Sequence, residues 1–324
     1  DLSSFLSHLS SFPVILKRNF QPAKILSYVW RELLYSSALA ALVVSLYLVF
    51  GWEVLQVPFT PIGILGSALA IFVAFRNNSS YGRWWEARTI WGGLVNYSRI
   101  FARLTITFVE AHRQSPGFDP ARAAAFQREM VYRQIAFVHG LRLHLRGQQH
   151  WSELEAFLPE EEFGRLLNGH NKPNLLLQFH GKRIYDAMAD GTLQGFDSFQ
   201  LEGCLAQFAN FQGACERIKN TPLPRQYDFF TRSFVWLFAT LLPFGLLGVF
   251  PADLCWLTVP LSTLIALVFT IMEKTGALNE DPFENRITDI PLSALCNTIE
   301  RDLREQLGEP ELPPKMVPVD GYLY

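Results

Sequence analysis

The sequence predicts an all-α integral membrane protein with four transmembrane helices and a helical cytoplasmic region. Three observations carry that prediction. Charged residues make up 18% of the chain, against about 25% in soluble domains. The deficit is concentrated in four charge-free segments, and these form two adjacent pairs with basic flanks. The same composition excludes other classes. A hydrophobic content of 49% with a net charge of −2 is not that of a disordered chain. The 28 basic and 30 acidic residues leave no positive field for nucleic acid. Four cysteines in 324 residues do not make a disulfide scaffold.

Residues 1–32 read as a cytoplasmic N-terminal segment, with several charges and no short apolar run ending in a cleavage site. Residues 33–75 hold the first two spans. Leu33 to Trp52 is twenty residues without charge, and Val54 to Phe75 is twenty-two. Residues 233–272 hold the other two, with twenty from Ser233 to Ala252 and nineteen from Leu254 to Met272. A bilayer core needs about 20 apolar residues as helix. Four buried helices of a soluble core would have to meet that length four times, in two adjacent pairs. Membrane spans account for it directly.

Each pair is linked by a short turn whose one charge is acidic, Glu53 or Asp253. The opposite sides carry Lys17, Arg18, Lys24 and Arg31, then Arg76, Arg83 and Arg88, then Arg217, Lys219, Arg225 and Arg232, and finally Lys274. The positive-inside rule therefore places both termini and the middle segment in the cytoplasm, in a multi-pass protein of the cell (inner) membrane. Cys204, Cys215 and Cys296 fall on that reducing side, and Cys255 near a membrane face.

The cytoplasmic region, residues 76–232, reads as helices. Ser79 to His112 carries apolar residues at helical spacing and is broken at Ser115-Pro116-Gly117. Pro120 to Leu145 follows an Asp119 cap. Asn174 to Met188 and Ser198 to Lys219 give two more, ended by Pro222 and Pro224. No strand alternation or repeat stands out. Residues 273–324 form a cytoplasmic C-terminal segment whose end, from Leu307, reads as extended, on a neighbour's surface or disordered.

No enzyme constellation emerges, neither HExxH, nor a phosphate-binding glycine loop, nor Cys-x-x-Cys, nor GxSxG. The catalytic assignment is none. His139 and His144, among Arg142 and Arg146, suit a solvated basic face better than a metal site. Glu160-Glu161-Glu162 suits a helix start. Glu280, Asp281 and Glu284, with Asp289 beyond, are weak metal candidates that a charged juxtamembrane surface explains better.

The second span carries two stripes after Thr60-Pro61, which reads as an N-cap followed by proline in the first turn. Gly63, Ser67, Ala70 and Ala74 form a small-residue face that permits close helix approach. Ile64, Ala68 and Phe72 form an apolar one. Copies packed around an axis would make the second face a hydrophobic neck, which can gate by dewetting. Lipid or other spans are the alternative neighbours.

The run from Arg76 to Arg88 (Arg76-Asn77-Asn78-Ser79-Ser80-Tyr81-Gly82-Arg83-Trp84-Trp85-Glu86-Ala87-Arg88) follows directly on the Leu65-Gly66-Ser67-Ala68-Leu69 span. It resembles the signature of bacterial bestrophin homologues. Asp281-Pro282-Phe283-Glu284-Asn285, Asp289-Ile290-Pro291-Leu292 and Ile299-Glu300-Arg301-Asp302-Leu303 resemble a second signature of the same family. The resemblance covers roughly residues 10–305.

It implies a homopentameric ion channel with a central pore in the lipid bilayer, passing small monovalent ions and binding no nucleic acid. Ile64, Ala68 and Phe72 are then the neck candidates, with Ile62 and Gly66 as the alternative register. Ile184 is the candidate for a cytoplasmic constriction. Animal members are calcium-activated chloride channels whose calcium clasp uses a continuous acidic run; here that run is broken after Glu284 by Asn285 and Arg286. No cofactor is expected, and no tight calcium site, since calcium prefers six to eight oxygen ligands. Trp84 and Trp85 suit the membrane interface, and Glu86 is placed to pair with Arg83. Chloride is the ion the animal branch implies, and a sodium/potassium-selective pore of the same architecture is the alternative. A membrane-bound sensor or enzyme with an unread cytoplasmic site is the alternative of another class. A secondary transporter fits less well, because the spans contain no ionisable residue.

Overall fold

The computed structural model describes residues 14–15, 22–286, 288–317 and 322–323. The predicted basic flank residues Lys17 and Arg18 lie outside them. The chain divides into two compact units. The first, a membrane unit, comprises Lys17–Trp84 and Pro222–Asp281. The second, a helical body, comprises Asp1–Leu16, Trp85–Thr221 and Pro282–Tyr324.

The membrane unit is built from α1 (Pro22–Phe50), the first part of α2 (Phe59–Ala111), α7 (Arg225–Leu246) and α8 (Thr258–Asn279). These are the four described helices long and apolar enough to cross a bilayer. Short 3-10 turns at Glu53–Leu55 and Ala252–Leu257 carry the two acidic link residues. In the core, Ile62, Leu69 and Val73 meet Val235, Phe238, Leu242 and Leu246. A second cluster joins Val43 and Val44 to Leu247 and Cys255. With water absent from the hydrocarbon, such helix contacts rest on close packing rather than on the hydrophobic effect.

Two sequence expectations change here. Thr60 is not an N-cap, because helical structure begins at Phe59; Pro61 still falls in the first turn, where its missing N–H costs nothing. The second span and the first cytoplasmic helix are one continuous element, α2, of 53 residues. The charge boundary at Arg76 is not a helix end. Nothing between Arg76 and Tyr81 breaks the helix, and Ser79 Oγ returns a hydrogen bond to the Phe75 carbonyl at 3.0 Å.

The helical body contains the rest of α2, α3 (Pro120–Arg146), α4 (Glu160–Leu167), α5 (Lys172–Ala189), α6 (Gly195–Asn220) and α9 (Leu292–Gln306). Asp119 caps α3 as predicted, accepting from the amides of Ala121 and Arg122. The glutamate run forms the first turn of α4. α3 is the central helix. It packs against α5, α6, α9 and the 3-10 turn Trp151–Phe157, so even Arg133 on it is buried, forked onto Glu162 at 2.7 and 2.9 Å.

The C-terminal segment lies along its own chain. Asn297 donates to the Pro314 carbonyl (3.1 Å) and accepts from the Met316 amide (3.0 Å), and Arg301 donates to the Pro313 carbonyl. Val14–Ile15 and Tyr322–Leu323 pair as a two-residue antiparallel ladder. No strand was expected here, because two residues are too few for an alternation to register.

Candidate functional site

The first part of α2 presents two opposite faces. Ile62, Gly66, Leu69 and Val73 are buried inside the membrane unit. At about 100° per residue, Ile64, Ala68, Ile71 and Phe75 fall on the other side. All four are exposed, with Ile64, Ile71 and Phe75 at 60% or more. Ser67 and Ala74 of the small-residue stripe flank them and are exposed too. Phe72 sits at the border. It is half-buried, its ring stacked on Tyr227 at 5.7 Å and edge-on to Phe234 at 6.2 Å.

Ile62 and Gly66, the alternative neck register, are occupied within the chain. A Cβ on Gly66 would stand 2.8 Å from the Phe238 ring, and one on Gly245 would stand 2.6 Å from Ile62 Cδ1. The two helices therefore interlock, each supplying a large side chain to a glycine of the other. Both positions are thus buried within the chain, while the Ile64 side of the helix is exposed. Ile71 and Phe75 are the exposed residues that the sequence reading missed; they continue the Ile64 face by about two and three turns.

Below this apolar stretch lies a cluster of charges. Arg76, with its side chain 1% exposed, reaches Asp228 at 2.5 Å, Glu273 at 3.3 Å and Glu280 at 3.7 Å. Arg225 and Arg232 add to it from α7, at 3.9 Å from Glu280 and 3.0 Å from Asp228. Arg83 donates to the Glu280 carbonyl at 2.9 Å. Asn77 donates to the Met272 carbonyl at 2.9 Å. The first signature motif thus fastens α2 to α7 and α8. A buried charge needs this many partners, since an unpaired one costs several kcal/mol. Burial pushes the Glu280 carboxyl above its usual range, Asp281 adds to that, and Arg76 and Arg225 oppose it.

The remaining predicted residues are spread out. Ile184, the candidate for a cytoplasmic constriction, is 1% exposed in the core of the helical body and faces no open passage within the single chain. Glu280 is engaged by arginines, and Glu284 pairs with Lys219 at 2.5 Å. Among the described residues no three His, Cys, Asp or Glu side chains gather as a metal site. His139 meets Glu300 at 3.1 Å and stacks on Phe157, while His144 lies 3.5 Å from Glu216. Glu86 pairs with Arg217 instead of Arg83, because Arg83 turns to the Glu280 carbonyl. All four cysteines are free and buried. Burial raises the Cys215 and Cys296 thiols to about 12, far from reactivity.

Comparison with known proteins supplies the remaining evidence. A family model described as bacterial/fungal bestrophin protein matches residues 13–305. The chain is 33% identical over 301 residues to voltage-dependent anion channel-forming protein YneE of Salmonella typhi, covering 92% of this chain and 93% of that one. It is 35% identical over 262 residues to YneE of Escherichia coli, covering 81% of each. Among solved structures, a bestrophin homologue from Klebsiella pneumoniae superposes with a TM-score of 0.79 at 30% identity, over 87% of this chain and all of the other. Four membrane helices, a helical body, the α2 signature and these matches agree: the chain belongs to the bacterial and fungal bestrophin family.

Proposed function

We propose that this chain is one subunit of a homopentameric ion channel of the inner membrane, with the first part of α2 lining a central hydrophobic neck. The observation that carries the reading is the exposed apolar face Ile64, Ala68, Ile71 and Phe75, on a helix whose opposite face is filled inside its own chain. Exposed Ser67 and Ala74 beside it permit close approach between copies. Ile64, Ala68 and Phe72 are the neck residues of this proposal, with Ile71 and Phe75 on the same side. The helix carries no charge between Val54 and Phe75, so a wide neck passes ions and a narrow one dewets and closes.

Chloride is the proposed ion, supported by relatives named voltage-dependent anion channel-forming proteins. The reading is a channel and not an enzyme, with both termini and the helical body in the cytoplasm, supported by the basic flanks of all four spans. Planar-bilayer recording of the purified protein under a potassium chloride gradient tests it. Unitary currents reversing toward the chloride potential are expected. Absence of unitary currents overturns the channel, and reversal at the cation potential transfers the proposal to sodium and potassium.

A further inference from the structure

A second feature of the membrane unit lies away from the proposed neck face. Where α1, α7 and α8 meet, Glu32, Ser36, Arg232, Trp236, Thr270, Glu273 and Lys274 enclose a cavity of about 60 Å³. Lys274 donates to Glu32 Oε1 at 2.9 Å and to the Tyr28 carbonyl at 2.7 Å. Glu32 Oε2 is buried and has no partner. A buried carboxylate oxygen left without a donor is costly, so the cavity is built for a group that donates N–H or O–H.

The charges around it narrow the choice. Glu32, Asp228, Glu273 and Glu280 are matched by Lys274, Arg76, Arg225 and Arg232 through the pairs already described. A cluster in balance favours neither a net cation nor a net anion. It favours a zwitterion whose ends meet opposite poles. Arg232 supplies the second pole, with its side chain 58% exposed and one acidic partner. Arg232 and Trp236 are both exposed, so the cavity reaches the surface. Tyr35 and Trp236 stack edge-on at 4.9 Å beside it, and Trp30 is half exposed. Such aromatic side chains with basic neighbours mark the level of lipid head groups.

We infer that this cavity binds the head group of a phosphoethanolamine lipid from the cytoplasmic leaflet, its primary ammonium donating to Glu32 Oε2 and its phosphate on Arg232. A primary ammonium has three N–H donors. A trimethylammonium has none and cannot satisfy the orphan oxygen, so the site discriminates phosphoethanolamine from phosphocholine. The inference rests on the membrane spans and not on ion conduction.

The test is native mass spectrometry of the full-length protein released from nanodiscs of equal phosphatidylethanolamine and phosphatidylcholine with identical acyl chains. Retained lipid is expected to favour the primary amine by about tenfold, the scale of one charge-assisted hydrogen bond. Glu32→Gln and Arg232→Gln should each reduce that preference. Ser36→Val, which fills the cavity without changing charge, should abolish it even where a charge variant fails to fold. Equal retention of the two lipids in the wild type overturns the proposal and leaves a cavity for water alone. A preference that survives Ser36→Val places the lipid elsewhere and overturns it too. Displacement of the retained lipid by free phosphoethanolamine overturns the lipid assignment in favour of a soluble ligand.

Discussion

Ile62 Cδ1 lies 2.6 Å from the position a Cβ on Gly245 would take, so α2 and α7 close to backbone contact at this point. The glycine is there for space, and no larger residue fits without moving Ile62. Gly245→Val should therefore lower stability by about 1–3 kcal/mol, the usual cost of overpacking. A melting temperature in detergent equal to the wild type would show that the contact gives way freely.

The same contact separates stability from conduction. Ile62→Ala should cost about 2–5 kcal/mol, as buried large-to-small changes do, and leave unitary conductance unchanged. Ile64→Ala and Phe72→Ala should alter conductance or open probability with a smaller effect on stability. Single-channel recording beside thermal melts measures both, and unchanged currents in Ile64→Ala and Phe72→Ala together reject this neck.

Arg76→Gln removes the partner shared by Asp228, Glu273 and Glu280; Asp228 keeps Arg232 and Glu280 keeps Arg225, but Glu273 loses its arginine. It should destabilise by about 3–5 kcal/mol, because a carboxylate buried without its counter-charge is the costly half of a broken pair. Arg76→Lys should recover only part, since a lysine cannot reach three acids with a fixed fork. Thermal melts of the two variants compare them directly, and equal loss in both denies the fork its role.

Asp289 sets a pH dependence in the helical body. Burial raises its carboxyl to about 6, while the Arg286 amide, which it accepts at 2.9 Å, and the Arg286 and Arg146 charges pull the other way. A raised carboxyl means that the folded state holds the proton when the unfolded chain has released it. Stability is then lost as pH rises from about 4 to about 6, by about 3 kcal/mol at most. Asp289→Asn keeps an acceptor for Arg286 and removes the proton. Urea unfolding between pH 4.5 and 7.5 should show a shallower slope in the variant, and parallel curves would assign the slope to other groups.

Asn297 holds the C-terminal segment with its amide group alone, giving and receiving one backbone hydrogen bond. Asn297→Ala should loosen residues 314–317 and speed their cleavage by a non-specific protease without lowering the main unfolding transition. An unchanged cleavage rate would show that Arg301 suffices.

Much of this architecture was legible in the sequence because the bilayer makes a one-dimensional demand. A span must be uncharged for about 20 residues, and Leu33 to Trp52 shows that without reference to any partner. The Asp119 cap and the glutamate start of α4 were legible for a similar reason, since both are local electrostatics. Ile184 was not: whether an isoleucine on an amphipathic helix faces a core or a passage depends on what covers it. Glu86 was drawn to Arg217 rather than to Arg83 because Glu280 offers Arg83 a carbonyl from across the chain.

The sequence by itself therefore determined the number of spans, the helical character of the body and the family, through charge spacing and two motifs. The tertiary structure alone decided that α2 is one helix, which of its faces is free, and that Arg76 is buried among three acids. The reason is physical. Hydropathy is a property each residue carries alone, whereas exposure and ion pairing depend on residues 150 to 200 positions away, such as Asp228 and Glu273 around Arg76.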